Sequence, residues 1–298
     1  MESSIILLRY GELALKSPYV RRSFEHALVQ HIKQTLQYHD ISNTISQERG
    51  RLFVSTLAEK KTIALLQRIF GITSVSPVFQ TTSSLDDISQ TAGDLLKNKL
   101  RPSRSFAVRV ARTGTHAYTS QEAATRIGQH LVDTTGAPVN LSQPAIELLV
   151  DIREKKAYLF LERFPGMGGL PFGTQGKVLA VIDSRQSLLA MWFLLRRGCT
   201  PILANISCSQ DIINNFCIYW NIYQYKSFNI STCNRKELVP LIEYNQCNAV
   251  VTGHTFSEEA IQEIHTLKKD CAIPIFTPLI PFTQDEINEQ MNRVGATS

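Results

Sequence analysis

Helix-like and strand-like hydrophobic periods alternate over residues 1–165 and predict two small α+β regions. Residues 1–80 follow the order β-α-β-α-β, and residues 81–165 follow with two helices and three strands. The predicted segments are Ile5–Arg9 (strand), Ser17–Leu36 (helix), Arg51–Thr56 (strand), Glu59–Phe70 (helix), Ser74–Gln80 (strand), Leu85–Leu100 (helix), Ser105–Ala111 (strand), Ser120–Asp133 (helix), Ala145–Arg153 (strand) and Lys156–Phe164 (strand).

A glycine- and proline-rich stretch, residues 166–176, separates these regions from the rest. With Pro165 it holds five glycines and two prolines, which suits neither a helix interior nor a central strand. Residues 177–298 then alternate strands with helices, which indicates βαβ crossovers and a mainly parallel sheet. The predicted segments are strands Val178–Ile182, Pro201–Ile206, Phe228–Ile230, Ala249–Thr252 and Pro274–Phe276, and helices Ser187–Arg197, Asp211–Tyr223, Arg235–Tyr244, Glu258–Lys268 and Gln284–Val294.

Composition excludes several classes of protein. No apolar run approaches the roughly 20 residues of a membrane-spanning helix, and the N-terminus lacks the apolar core of a signal peptide. We therefore expect a cytoplasmic protein without a membrane partner. The six cysteines form no Cys-x-x-Cys pair, which argues against a zinc ribbon and against a local redox dithiol, and we expect no metal site.

Positive charge is concentrated before residue 177. Residues 1–176 hold 21 Lys and Arg against 15 Asp and Glu, whereas residues 177–298 hold 10 against 11. A basic region favours a polyanion partner, although a solvated surface is the alternative. The predicted phosphate-binding cations are Lys97, Lys99, Arg101, Arg104, Arg109, Arg112 and Arg126.

Two further groups are candidate RNA contacts. His116 and Tyr118 can stack on an unpaired base, but Tyr118 can instead pack beneath the helix that follows it. A second basic group lies near the Tyr10-Gly11-Glu12 turn, where the alternative is a helix with a merely basic polar face. Its members are Arg9, Lys16, Arg21 and Arg22.

The turn after strand Val178–Ile182 occupies the position where nucleotide-binding α/β domains hold phosphate. Such turns use glycines, because backbone N–H groups must close around the anion. Here the turn reads Asp183-Ser184-Arg185-Gln186-Ser187 and has no glycine. Gly253 follows strand Ala249–Thr252 at the same predicted edge of the sheet. The sequence therefore predicts a degenerate nucleotide loop formed by Asp183, Ser184, Ser187 and Gly253.

Three motifs resemble the THUMP-containing tRNA 4-thiouridine synthetases. These are Leu8-Arg-Tyr-Gly-Glu-Leu-Ala-Leu-Lys16, Phe70-Gly-Ile-Thr-Ser-Val-Ser-Pro77 and the segment from Phe106 to Glu122. The connector Gly168–Gly176, the segment Val250–His254 and the segment Pro278–Ile287 are similar to later parts of the same family. The resemblance extends over almost the whole chain and is most specific in the N-terminal motifs.

The resemblance implies a fold of mixed α/β and α+β class. It comprises a ferredoxin-like domain (1–80), a THUMP RNA-binding domain (81–165), a linker (166–176) and a Rossmann-like pyrophosphatase-loop domain (177–298). In the family the third domain adenylates a tRNA uridine and exchanges oxygen for sulfur. This chain departs from the family's Ser-Gly-Gly-x-Asp-Ser loop, and the family's catalytic cysteine is expected beyond the last helix, past Ser298. It is similar to a shortened archaeal-type subgroup.

These observations leave three functions open. The first is a tRNA-binding protein that recognises the acceptor end, without ATP-dependent activity or a cofactor, and assists a separate modification enzyme or sulfur donor. The second is an active tRNA sulfurtransferase with an altered loop, ATP, Mg²⁺ and an external sulfur donor. The third is a scaffold whose last domain forms a homodimer or contacts another enzyme. Apolar and aromatic residues can supply such a face, although residues at this near-helical spacing are more often core; they are Phe216, Trp220, Tyr223 and Tyr225.

Overall fold

The computed structural model describes residues 3–11, 17–48, 50–222 and 230–296. The chain forms two compact units that do not follow its linear order. The first unit comprises Met1–Leu8, Asn43–Ile63 and Val75–Phe164, and the second comprises Arg9–Ser42, Ala64–Ser74 and Pro165–Ser298. Segments from near the N-terminus therefore share a compact unit with the C-terminal region.

An eight-stranded sheet runs through the N-terminal half of the chain. Its strand order is β2-β3-β1-β4-β7-β6-β5, and β8 pairs with β4. Its strands are β1 (Ser4–Tyr10), β2 (Asn43–Glu48), β3 (Arg51–Thr56), β4 (Ile72–Thr82), β5 (Phe106–Thr113), β6 (Ile146–Arg153), β7 (Lys156–Phe160) and β8 (Phe164–Pro165). The helices of this half are α1 (Pro18–Tyr38), α2 (Glu59–Leu66), α3 (Leu85–Leu96) and α4 (Ser120–Thr135).

In the first unit, α3 and α4 bury one apolar face each against β5, β6 and β7. Ile88 and Leu96 of α3 and Ile127 and Leu131 of α4 are fully buried with Phe106 of β5 in one cluster. With Ala92 buried between Ile88 and Leu96, the buried residues of each helix recur every four residues, which is typical of an amphipathic helix. The Thr119 hydroxyl accepts from the backbone N–H of Glu122 and fixes the start of α4. This packing places the α3–β5 connection and the start of α4 at the surface of the unit.

The opposite face of this sheet curves until non-adjacent strands touch. The rings of Phe53 on β3 and Tyr158 on β7 stack with centroids 4.5 Å apart, although β1 and β4 lie between these strands. Lys156 Nζ on β7 also lies 2.6 Å from Glu48 Oε1 on β2. Strong sheet twist brings such distant strands together.

The second sheet is parallel at each pairing between its strands, which follow the order β11-β10-β9-β12-β13. Its strands are β9 (Lys177–Ile182), β10 (Thr200–Asn205), β11 (Ile230–Thr232), β12 (Ala249–Thr252) and β13 (Ile275–Phe276). The helices are α5 (Arg185–Arg196), α6 (Gln210–Tyr219), α7 (Leu238–Asn245), α8 (Glu258–Asp270) and α9 (Gln284–Arg293). The predicted C-terminal parallel sheet is confirmed.

The core of the second unit is centred on aromatic rings. Phe70 stacks on Trp220 with ring centroids 5.3 Å apart, and Trp192 of α5 meets Trp220 edge-on at 5.6 Å. The Trp220 indole N–H donates to the Val294 carbonyl at 2.9 Å, so its polar atom is satisfied although the residue is 1% exposed. The scaffold hypothesis placed Phe216 and Trp220 on an interaction face, but both are core residues. Tyr223 and Tyr225 of the same hypothesis lie outside the described residues.

Some elements expected from the sequence differ from the structure. Strand β2 was not predicted, because Asn43–Glu48 contains a single apolar residue and forms a half-exposed edge strand. Helix α2 ends at Leu66 rather than Phe70, and helix α6 ends at Tyr219 rather than Tyr223. The predicted strand at Phe228–Ile230 falls partly outside the described residues, and the structure has β11 at Ile230–Thr232.

A buried histidine joins α1 to the end of α6 within the second unit. His31 is fully buried, and its Nε2–H donates to the Asn221 carbonyl over 3.0 Å. Its ring lies against Phe172, with centroids 5.8 Å apart. Burial lowers the pKa of His31 to about 4, because the charged imidazolium is costly in an apolar environment.

We expect the free energy of unfolding to fall as the pH drops from 6.5 towards 4. In this window the unfolded chain binds a proton on His31 that the folded chain does not bind, which favours unfolding by about 3 kcal/mol at pH 4. Urea unfolding at pH 7, 5.5 and 4.5 would measure the slope. His31→Gln keeps an N–H donor but cannot titrate, so it should show a shallower slope; an unchanged slope in this variant would contradict the assignment.

Candidate functional site

The turn between β9 and α5 is filled by its own side chains. Asp183 Oδ1 accepts from the Ser187 hydroxyl at 2.6 Å and from the Ser184 hydroxyl at 3.2 Å, and the two hydroxyl oxygens lie 3.1 Å apart. Ser187 is 1% exposed. A carboxylate and two hydroxyls thus form a closed hydrogen-bonded cluster at the first turn of α5, where an anion would otherwise meet a helix N-terminus.

Gly253 packs closely against Ser187 in the first turn of α5. A Cβ on Gly253 would lie 2.6 Å from Ser187 Oγ and 2.7 Å from Ser187 Cα. The Gly253 carbonyl accepts from the Gln186 amide at 2.9 Å. The structure therefore brings Asp183, Ser184, Ser187 and Gly253 together, as the sequence predicted, with Gly253 against the helix rather than around an open cradle.

A histidine–glutamate–arginine group lies beside the turn and was not identified from the sequence. His254 Nε2 lies 2.8 Å from Glu263 Oε2, and its Nδ1 lies 2.8 Å from the Thr252 hydroxyl. Arg235 Nη2 lies 2.9 Å from the same Glu263 oxygen. The hydrogen bonds from His254 and Arg235 lower the pKa of Glu263, because both favour its ionised form. The only sequence signal was the Thr252-Gly253-His254 turn at a strand end.

The turn and this group line a cleft of about 340 Å³ at the carboxyl edge of the parallel sheet. Its described lining includes three carboxylates, Asp183, Glu259 and Glu263, against the single guanidinium of Arg235. An excess of carboxylates disfavours the close approach of a phosphate chain. The usual ligand edge of this sheet is therefore small and acidic.

Four of the predicted cations lie on the connection from α3 to β5, which we call the basic connection. The residues of the basic connection are Lys97, Lys99, Arg101 and Arg104, and all four are exposed. The ion pairs of the described residues include none of the four. Lys97 and Arg101 also line a cleft of about 460 Å³ together with His130. Exposed cations without carboxylate partners are suited to phosphate contacts.

Arg109 and Arg126 are held in ion pairs away from the basic connection. Arg109 Nε lies 2.9 Å from Glu147 Oε1, and Arg126 Nη2 lies 2.6 Å from Asp86 Oδ1. Successive side chains of β5 point to opposite faces of the sheet. Phe106 and Val108 face the helices, so Arg109, which follows Val108, lies on the other face. The seven predicted cations thus do not share one face.

Arg112, His116 and Tyr118 form a contiguous group at the end of β5. Arg112 Nη1 lies 3.2 Å from His116 Nδ1, and His116 Nε2 donates to the Glu154 carbonyl at 2.7 Å. The Tyr118 ring packs against the core of the first unit, and its hydroxyl donates to the Ser83 carbonyl. These contacts favour packing for Tyr118, and its role in stacking stays a prediction.

The second predicted basic group is only partly described. Arg21 Nε lies 3.0 Å from Glu25 Oε1, and that oxygen also accepts from the Tyr10 hydroxyl at 2.7 Å. Arg9 is buried, so its side chain is not a surface contact. Lys16 lies outside the described residues.

The described residues offer no metal site of clustered His, Cys, Asp or Glu, and none of their helices is long and apolar enough to cross a membrane. All six cysteines are free. Burial raises the pKa of Cys208 and of Cys271, so neither thiol is activated as a nucleophile.

Comparisons with known proteins identify the family. Family models match the ThiI ferredoxin-like domain over residues 5–76 and the THUMP domain over residues 82–162. A probable tRNA sulfurtransferase of Methanothermobacter thermautotrophicus is 36% identical, over 99% of this chain and 85% of that protein. The chain belongs to the tRNA sulfurtransferase family. The ferredoxin-like and THUMP assignments are thereby confirmed.

Two crystal structures share the fold of this family member. PH1313 from Pyrococcus horikoshii is 27% identical, with a TM-score of 0.84 over 98% of this chain and 99% of that chain. A 4-thiouridine synthetase–RNA complex with bound ATP is 18% identical, with a TM-score of 0.79 over 99% of this chain and 86% of that chain. The fold, including its C-terminal parallel sheet, is therefore shared with these two proteins.

We expect Gly253→Ala to destabilise the protein by about 1–3 kcal/mol, because its new methyl group would overlap Ser187. Gly128→Ala is the matched control: it lies inside α4 with no atom within 4 Å of the added Cβ, so a gain of about 0.5–1 kcal/mol is expected. Thermal or urea unfolding of both variants measures the difference. Equal free energies of unfolding for the two variants would show that Gly253 and Ser187 do not pack this closely.

Proposed function

We propose that the protein binds tRNA through its THUMP-containing first unit and has no ATP-dependent activity of its own. The claim that the protein has no ATP-dependent activity rests on the Asp183 carboxylate. This carboxylate accepts hydrogen bonds from Ser184 and Ser187 at the start of α5. A phosphate bound at this turn would have to displace that carboxylate or lie beside it, and both cost electrostatic free energy. ATP and Mg²⁺ are therefore not expected as cofactors.

Chain length within the alignment supports the same proposal. The alignment with the Methanothermobacter thermautotrophicus relative is 337 positions long, whereas this chain has 298 residues, so the relative has about 40 aligned positions that this chain lacks. Because this chain lacks these positions and has no glycine in the loop, it has fewer residues that could form an adenylating site. Its role in thiolation would be to present tRNA to a separate modification enzyme or sulfur donor.

The tRNA half of the proposal is supported by the family and by charge. The family relative is named for action on tRNA, and a related fold was crystallised with RNA. The basic connection supplies four exposed cations in the THUMP region. Phosphate contacts of this kind position an RNA without reading its sequence, which suits recognition of the acceptor end by shape.

The second candidate is an active tRNA sulfurtransferase with an altered loop. The family membership favours it, as does the cleft that His254, Glu263 and Arg235 share with the turn. This alternative requires ATP, Mg²⁺ and an external sulfur donor, because burial raises the pKa of Cys208 and of Cys271. Measurement of ATP binding separates the two candidates.

We expect the fourfold variant Lys97→Gln, Lys99→Gln, Arg101→Gln, Arg104→Gln to bind unmodified tRNA more weakly than the wild type. The slope of log Kd against log salt should fall by about one for each phosphate that the variant no longer neutralises. Lys268→Gln with Lys269→Gln is the control, since both lysines lie in the last turn of α8 in the second unit. Equal weakening by both variants would contradict a specific basic surface.

We expect isothermal titration of the protein with ATP and Mg²⁺ to show no saturable heat, with or without tRNA. An assay for pyrophosphate release in the presence of unmodified tRNA should stay at the background of a protein-free reaction. The titration should be repeated with Asp183→Ala, which removes the carboxylate. Saturable binding by the wild type, or tRNA-dependent pyrophosphate release, would establish the enzyme alternative.

A further inference from the structure

A cleft of about 910 Å³ lies at the amino-terminal edge of the parallel sheet in the second unit. Its lining includes Val178 and Ala249, near the starts of β9 and β12, and Phe276 of β13. This is the edge opposite the Asp183 turn, since parallel strands begin at one edge and end at the other. The volume falls within the range of known small-ligand sites.

The charge of this amino-edge cleft is the reverse of that at the carboxyl edge. Arg196 and Arg197 are the only charged residues in its described lining, and no carboxylate is among them. Both arginines are exposed at the end of α5. The Arg196 carbonyl accepts from the Leu170 N–H at 3.0 Å, and its guanidinium carbon lies 5.7 Å from the Trp192 ring centroid. These contacts hold the end of α5 in place. Because the described lining has two guanidinium groups and no carboxylate, the cleft attracts anions.

Aromatic rings form one wall of the amino-edge cleft. Phe193 of α5 and Phe282 stack with centroids 5.7 Å apart and planes 18° from parallel. Phe276 of β13 also lines the cleft and is 45% exposed. Phe276, Phe193 and Phe282 line the same cleft, and apolar side chains that are exposed together as one patch mark a ligand or partner site. Flat ring faces next to guanidinium groups are suited to a nucleobase with an adjoining phosphate.

Side-chain amides complete the lining. Gln175 and Asn248 are both exposed at the cleft. Asn248 Oδ1 accepts from the backbone N–H of Lys177 at 3.2 Å, which orients the amide so that Nδ2 is its donor group. Amides of this kind form hydrogen bonds with the edges of unpaired bases. The cleft thus combines stacking surfaces, cations and hydrogen-bonding amides.

We propose that the amino-edge cleft binds one unpaired nucleotide of tRNA, with its base against Phe276 and Phe282 and its phosphate at Arg197. The proposal rests on the tRNA binding proposed above and adds a contact in the second unit. The domain that does not hold ATP at its carboxyl edge would then hold RNA at its amino edge.

The test measures tRNA binding by Arg197→Gln and Phe276→Ala. Arg197→Gln should raise Kd about fivefold and reduce the salt slope by about one, whereas Phe276→Ala should raise Kd about fivefold without changing the slope. The matched controls are Arg293→Gln and Tyr244→Ala, an exposed cation and an aromatic residue 85% exposed, both in the second unit and outside the described lining of the cleft. Circular dichroism should confirm that all four variants are folded.

Ultraviolet cross-linking of wild-type protein to tRNA, followed by peptide mapping, gives the second readout. A cross-link within residues 193–197 or 276–282 is expected. Affinities equal to wild type in both test variants, or cross-links confined to the first unit, would overturn the proposal while leaving tRNA binding intact. Binding of uridine monophosphate in the cleft without any effect of either variant on tRNA affinity would also overturn it. If the wild-type protein does not bind tRNA at all, that result would instead refute the proposed function.

Discussion

The hydrogen-bonded cluster of Asp183, Ser184 and Ser187 is the constraint on which the C-terminal region depends. It closes the first turn of α5, and Gly253 can approach this turn only because it lacks a Cβ. The same contacts that hold β9, α5 and β12 together occupy the position of an open phosphate cradle.

The clefts at the two edges of the parallel sheet differ in the charge of their linings. The described lining of the carboxyl-edge cleft has three carboxylates and Arg235, whereas that of the amino-edge cleft has two arginines and no carboxylate. Ligands of parallel sheets usually bind at the carboxyl edge, because strand ends and helix N-termini converge there. Here the aromatic and cationic surface lies at the other edge, and a separate group of exposed cations lies on the basic connection of the first unit. Both surfaces are suited to a polyanion.

Much of the fold could be predicted from the sequence, because strong hydrophobic periods and turn residues coincide with the elements. Strands Arg51–Thr56 and Ala249–Thr252 agree with the structure residue for residue. Strand β2 was missed because an edge strand with one apolar residue has no clear period. The joining of α1 to the C-terminal region through His31 and Asn221 was also missed, since contacts across 190 residues leave no local pattern.

The candidate site was predicted less completely than the fold. Asp183 and Ser184 follow β9, Gly253 follows β12 and Ser187 lies in the first turn of α5, so the four residues meet at one sheet edge. Side-chain pairing is not visible in sequence, so the separation of Arg109 from the basic connection and the grouping of His254 with Glu263 required the structure. The amino-edge cleft was missed for the same reason.

The most direct measurement of the central claim is a titration of the labelled protein with inorganic pyrophosphate, followed by nuclear magnetic resonance of backbone amides. The resonances of residues 184–187 report on the turn itself, independently of any catalysis. If the Asp183 carboxylate fills the phosphate position, these amides should show no saturable shift at millimolar pyrophosphate. A saturable shift confined to these residues would show that the turn still binds phosphate and would contradict the claim.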